Sequence, residues 1–321
     1  MHIEALDAEL AALLGEVPAL DFADIAATRA ALADPTPSAA ASDNAAAFGV
    51  TVTDMSVTDM DVEADGHTVR VRVTAPVLAP GHPLPVIVEV HGGGFALGSG
   101  ASNDDGNREL ASTLPCIVVA VDYRLSPEFP YPAAVEDCVA AVTWATNNAG
   151  ELGGDVSRVG LLGTSAGACL AACTALHLRD RYRRDHRGPI PVMQALIEPA
   201  LDDRDGTPSM VQGGDAVFWN TRNAMLSWQH YLAGRPADEF TSPSREQDLS
   251  GLPPTYLTVN ELDPLRDQGI DYARRLLAAD VRVEMHCWPG AFHGFRMFDT
   301  DLGRRTRAMD VAAIARLMGS S

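Results

Sequence analysis

The sequence predicts an α/β protein built on a central, mostly parallel sheet of eight strands. Three observations carry this. Short apolar runs recur along the chain with helix-length stretches between them, the alternation that βαβ units produce. One run, Ile117-Val118-Val119-Ala120-Val121, is apolar at every position, as a strand covered on both faces must be. The 321 residues are 46% hydrophobic and 21% charged, enough to bury one large core and leaving little room for a second full domain.

Taken in order, residues 1–34 read as helical, with Leu6, Leu10, Leu13 and Leu14 on one face and Ile25, Ala30 and Leu32 following. Pro35-Thr36-Pro37-Ser38 opens a linker. Residues 50–57 and 69–74 alternate at period two and are expected to pair antiparallel, joined near Asp65-Gly66. Further strands are expected at 86–90, 117–121, 158–162, 192–197, 256–259 and 281–287, and helices at 133–147, 166–183, 266–279 and 299–318. Between Asp202 and Ser250 the alternation lapses. Asp205-Gly206 and Gly213-Gly214 break it, and Phe218, Trp219, Trp228 and Tyr231 add aromatics. A long insertion of this kind reads as a lid or binding element. The expected organisation is a helical cap from 1–48 and 202–248 over a core from 49–201 and 249–321.

Charge narrows the function. Lys plus Arg is 24 against 43 for Asp plus Glu, a formal net charge of −19. Such a surface repels polyanions, so no nucleic-acid partner is expected. Every one of the 24 basic residues is arginine, which removes Schiff-base chemistry and the P-loop lysine. The cluster Arg179, Arg181, Arg183, Arg184 and Arg187 reads as a solvated helix end, with an anion-binding patch as the alternative. Five cysteines without a C-x-x-C read as buried free thiols in a reducing compartment. No signal peptide and no membrane-length apolar run is seen, so a soluble, cytoplasmic protein without stable membrane insertion is expected.

Gly163-Thr164-Ser165-Ala166-Gly167 lies between an apolar strand and a helix. In that context G-x-S-x-G forms a nucleophile elbow: a tight, strained turn lifts the serine hydroxyl clear, and the flanking glycines let strand and helix pass closely. His91-Gly92-Gly93-Gly94 follows the 86–90 strand. Its side-chain-free backbone can aim N–H groups into a cavity, so Gly92, Gly93 and Gly94, with the N–H of Ala166, are the candidate oxyanion hole. A dinucleotide-binding turn is the alternative, but Gly92-Gly93-Gly94-Phe95-Ala96-Leu97-Gly98 lacks the G-x-G-x-x-G spacing.

With these motifs the sequence resembles the hormone-sensitive-lipase family of α/β-hydrolases, and within it the bacterial esterases with a G-T-S-A-G elbow. Asp122-Tyr123-Arg124-Leu125-Ser126-Pro127-Glu128 and Pro132-Ala133-Ala134-Val135-Glu136-Asp137-Cys138 resemble two further blocks of that family. The likeness runs from about residue 50 onward, and its motifs occur in order. It implies the α/β-hydrolase fold and a Ser-His-Asp triad, with chain order Ser, acid, His. Five histidines follow Ser165: His177, His186, His230, His286 and His293. His293, in Phe292-His293-Gly294-Phe295, stands in the loop after the last strand and matches the family's H-G-F motif. Asp263, in Asp263-Pro264-Leu265-Arg266-Asp267, stands in a post-strand loop and matches the family's catalytic aspartate; Asp267 is the alternative, more at home in a first helical turn.

The expected chemistry is hydrolysis of small, short-acyl carboxylic esters through an acyl-enzyme, by Ser165, His293 and Asp263. These parts require no metal or cofactor. An amidase or arylformamidase would use the same parts, and a non-catalytic small-molecule receptor is a further alternative that the presence of His293 disfavours. Phe95, Glu198, Phe218, Trp219 and Phe295 are the candidate pocket residues. Glu198 precedes Pro199, which favours an extended backbone; its carboxylate either bonds to loop backbone or an arginine, or borders the substrate. Arg124, Glu128 and Asp137 read as a paired structural network behind the oxyanion loop. The last strand is expected at a sheet edge, and the resemblance implies a homodimer through it.

Overall fold

The computed structural model describes residues 5–33, 55–77 and 81–319. Eight strands form one sheet: β1 (Met55–Ala64), β2 (His67–Pro76), β3 (Leu84–Val90), β4 (Ile117–Asp122), β5 (Gly154–Thr164), β6 (Gln194–Ile197), β7 (Thr255–Asn260) and β8 (Val283–Trp288). Their order is β1-β2-β4-β3-β5-β6-β7-β8. β1, β2 and β4 pair antiparallel, and every pairing from β4 through β3 to β8 is parallel. The linker at 35–48 and the start of the first expected strand lie outside the described residues. β8 is an edge strand, as its position in sequence led us to expect.

Two apolar layers sandwich the sheet. On one face Val86, Val88 and Val90 meet α4 (Ala133–Asn148), α5 (Ala166–Asp185) and α8 (Arg266–Ala278). On the other, Ile87 and Val118 meet α3 (Asp104–Thr113) and α9 (Asp301–Leu317) through Leu110, Ala111, Ala313 and Ile314. Consecutive β3 residues therefore serve opposite layers, the period-two signature of a strand buried on both sides. Among the described residues no helix is long and apolar enough to cross a membrane.

Three expectations need correction. Residues 5–33 hold two short helices, α1 (Ala8–Ala12) and α2 (Ile25–Ala33), instead of one helical run. Pro18 interrupts the pattern, and the Asp21 carboxylate accepts the Ala23 N–H at 3.1 Å in a local turn. Helix α3 is not among the helices expected from the sequence. Arg179 is no part of a solvated helix end. It is buried and pairs with Asp180 at 2.7 Å and Glu246 at 3.2 Å, while Arg183 reaches Asp248 at 2.9 Å, so α5 is stapled to the 246–250 loop. Of the five thiols, all free, Cys287 on β8 is exposed and the other four are buried.

Candidate active site

Ser165 occupies the sharp turn between β5 and α5 with φ 56°, a left-handed backbone that non-glycine residues seldom adopt. Close packing leaves the turn no alternative. A Cβ on Gly163 would overlap the Gly167 carbonyl, and one on Gly167 would overlap the Val90 carbonyl at the end of β3. The Ser165 N–H is pinned to the Ile197 carbonyl at 2.9 Å. The hydroxyl thus stands at the head of a 20-residue helix whose N-terminus favours negative charge.

The loops after β7 and β8 complete a hydrogen-bonded chain. His293 Nε2 lies 2.9 Å from Ser165 Oγ, and His293 Nδ1 lies 2.6 Å from Asp263 Oδ2. The other Asp263 oxygen accepts the Leu265 N–H at 2.8 Å. All three side chains are buried. Asp267 is elsewhere: it accepts from the Ser209 N–H at 2.8 Å and from Arg266, tying the start of α8 to helix α6 (Pro208–Gln212). Of the remaining histidines after the serine, His230 lies 2.7 Å from the Phe22 carbonyl and His286 lies 3.1 Å from Glu284; neither approaches Ser165.

Facing the serine, the β3 loop passes close to the elbow. A Cβ on Gly92 would sit 3.1 Å from the Thr164 carbonyl oxygen. Gly93 and Gly94 take φ 113° and 57°, which spares a side chain any strain. Tyr123 supports the loop from behind: its hydroxyl donates to the His91 carbonyl at 3.0 Å and its ring stacks on the His91 imidazole at 4.2 Å. Among the described residues none accepts a hydrogen bond from the N–H of Gly93, Gly94 or Ala166. Arg124 bonds Asp137 through two nitrogens, at 3.0 and 2.8 Å, as a buried ionic network requires. Glu128 instead pairs with Arg29 of α2 at 2.7 Å, and Arg29 also donates to the Ala96 carbonyl at 2.9 Å.

A family model described as an alpha/beta hydrolase fold matches residues 87–297. The chain is 39% identical over 254 residues to carboxylesterase NlhH of Mycobacterium tuberculosis, covering 76% of this chain and 77% of that protein. It is 35% identical over 249 residues to esterase LipI of the same organism, covering 75% of each. Among solved structures, a bacterial heroin esterase superposes with a TM-score of 0.89 at 39% identity, covering 99% of both chains. The chain belongs to the hormone-sensitive-lipase family of α/β-hydrolases.

In this family member the serine opens into a cavity of about 660 Å³, a volume suited to one small molecule. Gly92, Gly93, Gly94, Ser165 and His293 form its floor, and Pro18, Leu20, Leu32, Phe218 and Trp219 line it from the side of the N-terminal segment and the insertion. Of the expected pocket residues, Glu198, Phe218 and Trp219 border the cavity. Phe95 and Phe295 do not. Phe95 is buried in the α4/α5 layer, stacked on Tyr231 at 4.2 Å, because its φ of 63° turns the ring away from the glycines before it. Phe295 is buried with Leu10, Phe292 and Leu302. Phe22, which the sequence reading did not single out, stands behind the cavity wall, its ring meeting Trp219 edge-on at 4.9 Å. Asn223 holds that segment, donating to the Leu20 carbonyl at 2.8 Å and accepting the Phe22 N–H at 3.2 Å. These contacts span 200 residues of chain and leave no local signal.

Electrostatics separates the two histidines of the site. Burial pushes His91 down to about 4, so it is neutral at ordinary pH. Burial also works against charge on His293, but the negative charges of Asp263 and Glu198 and the Asp263 hydrogen bond outweigh it, and its pKa is raised. Glu198 departs from the expected extended backbone, with φ 42°. Its N–H continues the sheet ladder to the Thr258 carbonyl at 2.8 Å, while its carboxylate folds back to accept the Gly294 N–H at 3.1 Å. Those two bonds hold a conformation that Pro199 alone would disfavour. Glu198, Asp263 and His293 place donor atoms within 4.8 Å of one another. Hydrogen bonds already engage both His293 nitrogens and both Asp263 oxygens.

Proposed function

We propose that this protein is a serine carboxylesterase of small, short-acyl esters, acting through an acyl-enzyme. The observation that carries the reading is the unbroken Ser165–His293–Asp263 chain at 2.9 and 2.6 Å, beside N–H groups of Gly93, Gly94 and Ala166 that bond to none of the described residues. In this reading His293 takes the Ser165 proton as Oγ attacks the ester carbonyl. Asp263 fixes the imidazole tautomer and stabilises the imidazolium. The three N–H groups bind the oxyanion at the head of α5. His293 then protonates the departing alcohol, and the same cycle with water releases the acid. Names of relatives such as carboxylesterase NlhH and a bacterial heroin esterase support the ester class.

The test is a rate profile over p-nitrophenyl acyl chains with matched anilides, run beside organophosphate labelling. Short esters should react fastest and anilides slowest, with the label on Ser165 alone. Ser165→Ala should lower kcat by roughly 10⁴-fold or more, with little further loss on adding His293→Ala. Ester hydrolysis surviving in Ser165→Ala sinks the mechanism, and faster anilide turnover turns the reading to an amidase.

The same proposal extends to the surroundings. Residues 5–33 and 202–248 act as a cap that selects the acyl and alcohol groups; cavity lining by Leu20, Leu32, Phe218 and Trp219 supports this. An edge strand β8 carrying half-exposed Met285 supports a homodimer through that strand; a monomer mass in solution at micromolar concentration overturns it. Five free thiols, four of them buried, support a reducing, cytoplasmic setting.

A further inference from the structure

We infer that Glu198 is a positioning residue for His293, clamping the backbone on both sides of that histidine and setting a second carboxylate beside its ring. The inference rests on the triad reading above and deepens it.

The geometry is a staple with two arms. The Glu198 carboxylate accepts the N–H of Gly294, the residue after the histidine, at 3.1 Å. The same oxygen accepts a hydrogen bond from the Asn260 side-chain amide. That amide also donates to the carbonyl of Phe292, the residue before the histidine, at 3.2 Å. One buried Glu–Asn pair thus holds the peptide entering His293 and the peptide leaving it. Glu198 and Asn260 stand at the C-terminal ends of β6 and β7, neighbours in the sheet, so the staple is anchored in the rigid part of the molecule. The left-handed backbone of Glu198 is the cost of this aim, and such strain persists where surrounding structure over-determines it.

Charge gives the staple a second effect. Four ionisable groups surround the imidazole. Asp263 bonds Nδ1, and Glu198 lies within the same 4.8 Å group. Arg296 approaches Glu198 at 3.9 Å, and Asp310 of α9 approaches Arg296 at 3.4 Å with its other oxygen bonded to the Tyr256 hydroxyl. Arg296 therefore shares its charge between two carboxylates and neutralises neither by close contact. The excess negative charge next to the ring favours imidazolium, the form that exists only after Ser165 has given up its proton.

The test compares Glu198→Gln, which keeps shape and an accepting oxygen, with Glu198→Ala, which removes the staple. Both are assayed on a neutral short ester as kcat/KM against pH, with organophosphate labelling of Ser165 as the check on the triad itself. A positively shifted His293 loses activity as pH falls through its pKa. Removing the Glu198 charge should therefore move the acid limb to lower pH, by about half a unit or more. Glu198→Ala should lower kcat by about 10²-fold with little change in KM, the loss expected when a reacting group is displaced by about an ångström. An acid limb that stays in place in Glu198→Gln, whatever happens to kcat or thermal stability, overturns the inference. So does a rise in the ratio of anionic to neutral ester turnover with the limb unmoved, which would make Glu198 a substrate contact. Failure of the triad reading is seen separately, as loss of Ser165 labelling in the unmutated protein.

Discussion

At the strand ends, Ser165 is placed by main chain, through the Gly163–Gly167 contact and its N–H on Ile197, and His293 is held by two buried side chains, Glu198 and Asn260, bonded to the peptides on either side of it. Across the cavity, the N-terminal segment and helix α7 (Thr221–Leu232) are joined by side chains: Asn223 on Leu20 and Phe22, His230 on Phe22, Arg222 on Asp21 at 3.0 Å. The first set has little room for change, because backbone atoms cannot swing aside and the Glu198–Asn260 pair is buried at the ends of two paired strands. The second consists of hydrogen bonds worth about 1 kcal/mol each, with an exposed ion pair worth less. Under the proposed function, reaction geometry and substrate choice fall to parts of different stiffness, so that selectivity can drift while the chemistry stays fixed.

Three substitutions probe that contrast, starting with the largest effect. Gly167→Ala adds a methyl into the Val90 and His91 carbonyls and can be relieved only by parting β3 from α5. Loss of several kcal/mol of stability, or failure to fold, is expected in chemical denaturation. A soluble Gly167→Ala protein with near-normal melting would show that the strand ends are softer than described.

Next comes Glu89, next to last in β3, which has one carboxylate oxygen without a hydrogen bond among the described residues. Burial raises it to about 7, with the Asn107 and Asn103 amides offsetting only part of the effect. The folded value lies above the unfolded one, so the folded protein holds the proton longer. Stability should fall as pH rises from about 4.5 to about 7 and stay lower above that. Glu89→Gln should abolish this slope and raise stability at pH 8 by up to about 3 kcal/mol. Parallel stability curves for the two proteins across pH 4–8 would refute it.

The smallest change is Asn223→Ala. It should cost about 1–2 kcal/mol and alter the acyl-length profile through the N-terminal segment, while kcat on an acetyl ester holds within a few-fold. An unchanged profile would detach that segment from substrate choice.

The same division decides what could be read in the sequence. The elbow, the glycine loop, Asp263 and His293 were legible because each rests on demands made within a few residues, such as the glycines that Ser165 needs on either side. Helix α3 was not. Gly106 lowers its helix propensity, and the helix is held instead by Leu110 and Ala111 against the sheet. The pocket was half legible: Trp219 and Phe218 announced themselves as aromatics, but which way Phe95 faces depends on a positive φ that no composition reveals. Glu198 and Asn260 lie 62 residues apart and meet only because β6 and β7 are neighbours in the sheet.

The Phe22 ring lies where a side chain on Gly94 would go, 2.6 Å from that hypothetical Cβ, and it is itself fully buried. The two positions are therefore a lock and its key, one on the N-terminal segment and one on the loop after β3. A library that diversifies the glycine loop alone will return mostly dead clones, since a side chain at Gly92 meets the Thr164 carbonyl, one at Gly93 the Leu97 carbonyl, and one at Gly94 two aromatic rings. Varying residue 22 while keeping the glycine, whose φ of 57° a side chain cannot adopt without strain, is the open route to reshaping this wall.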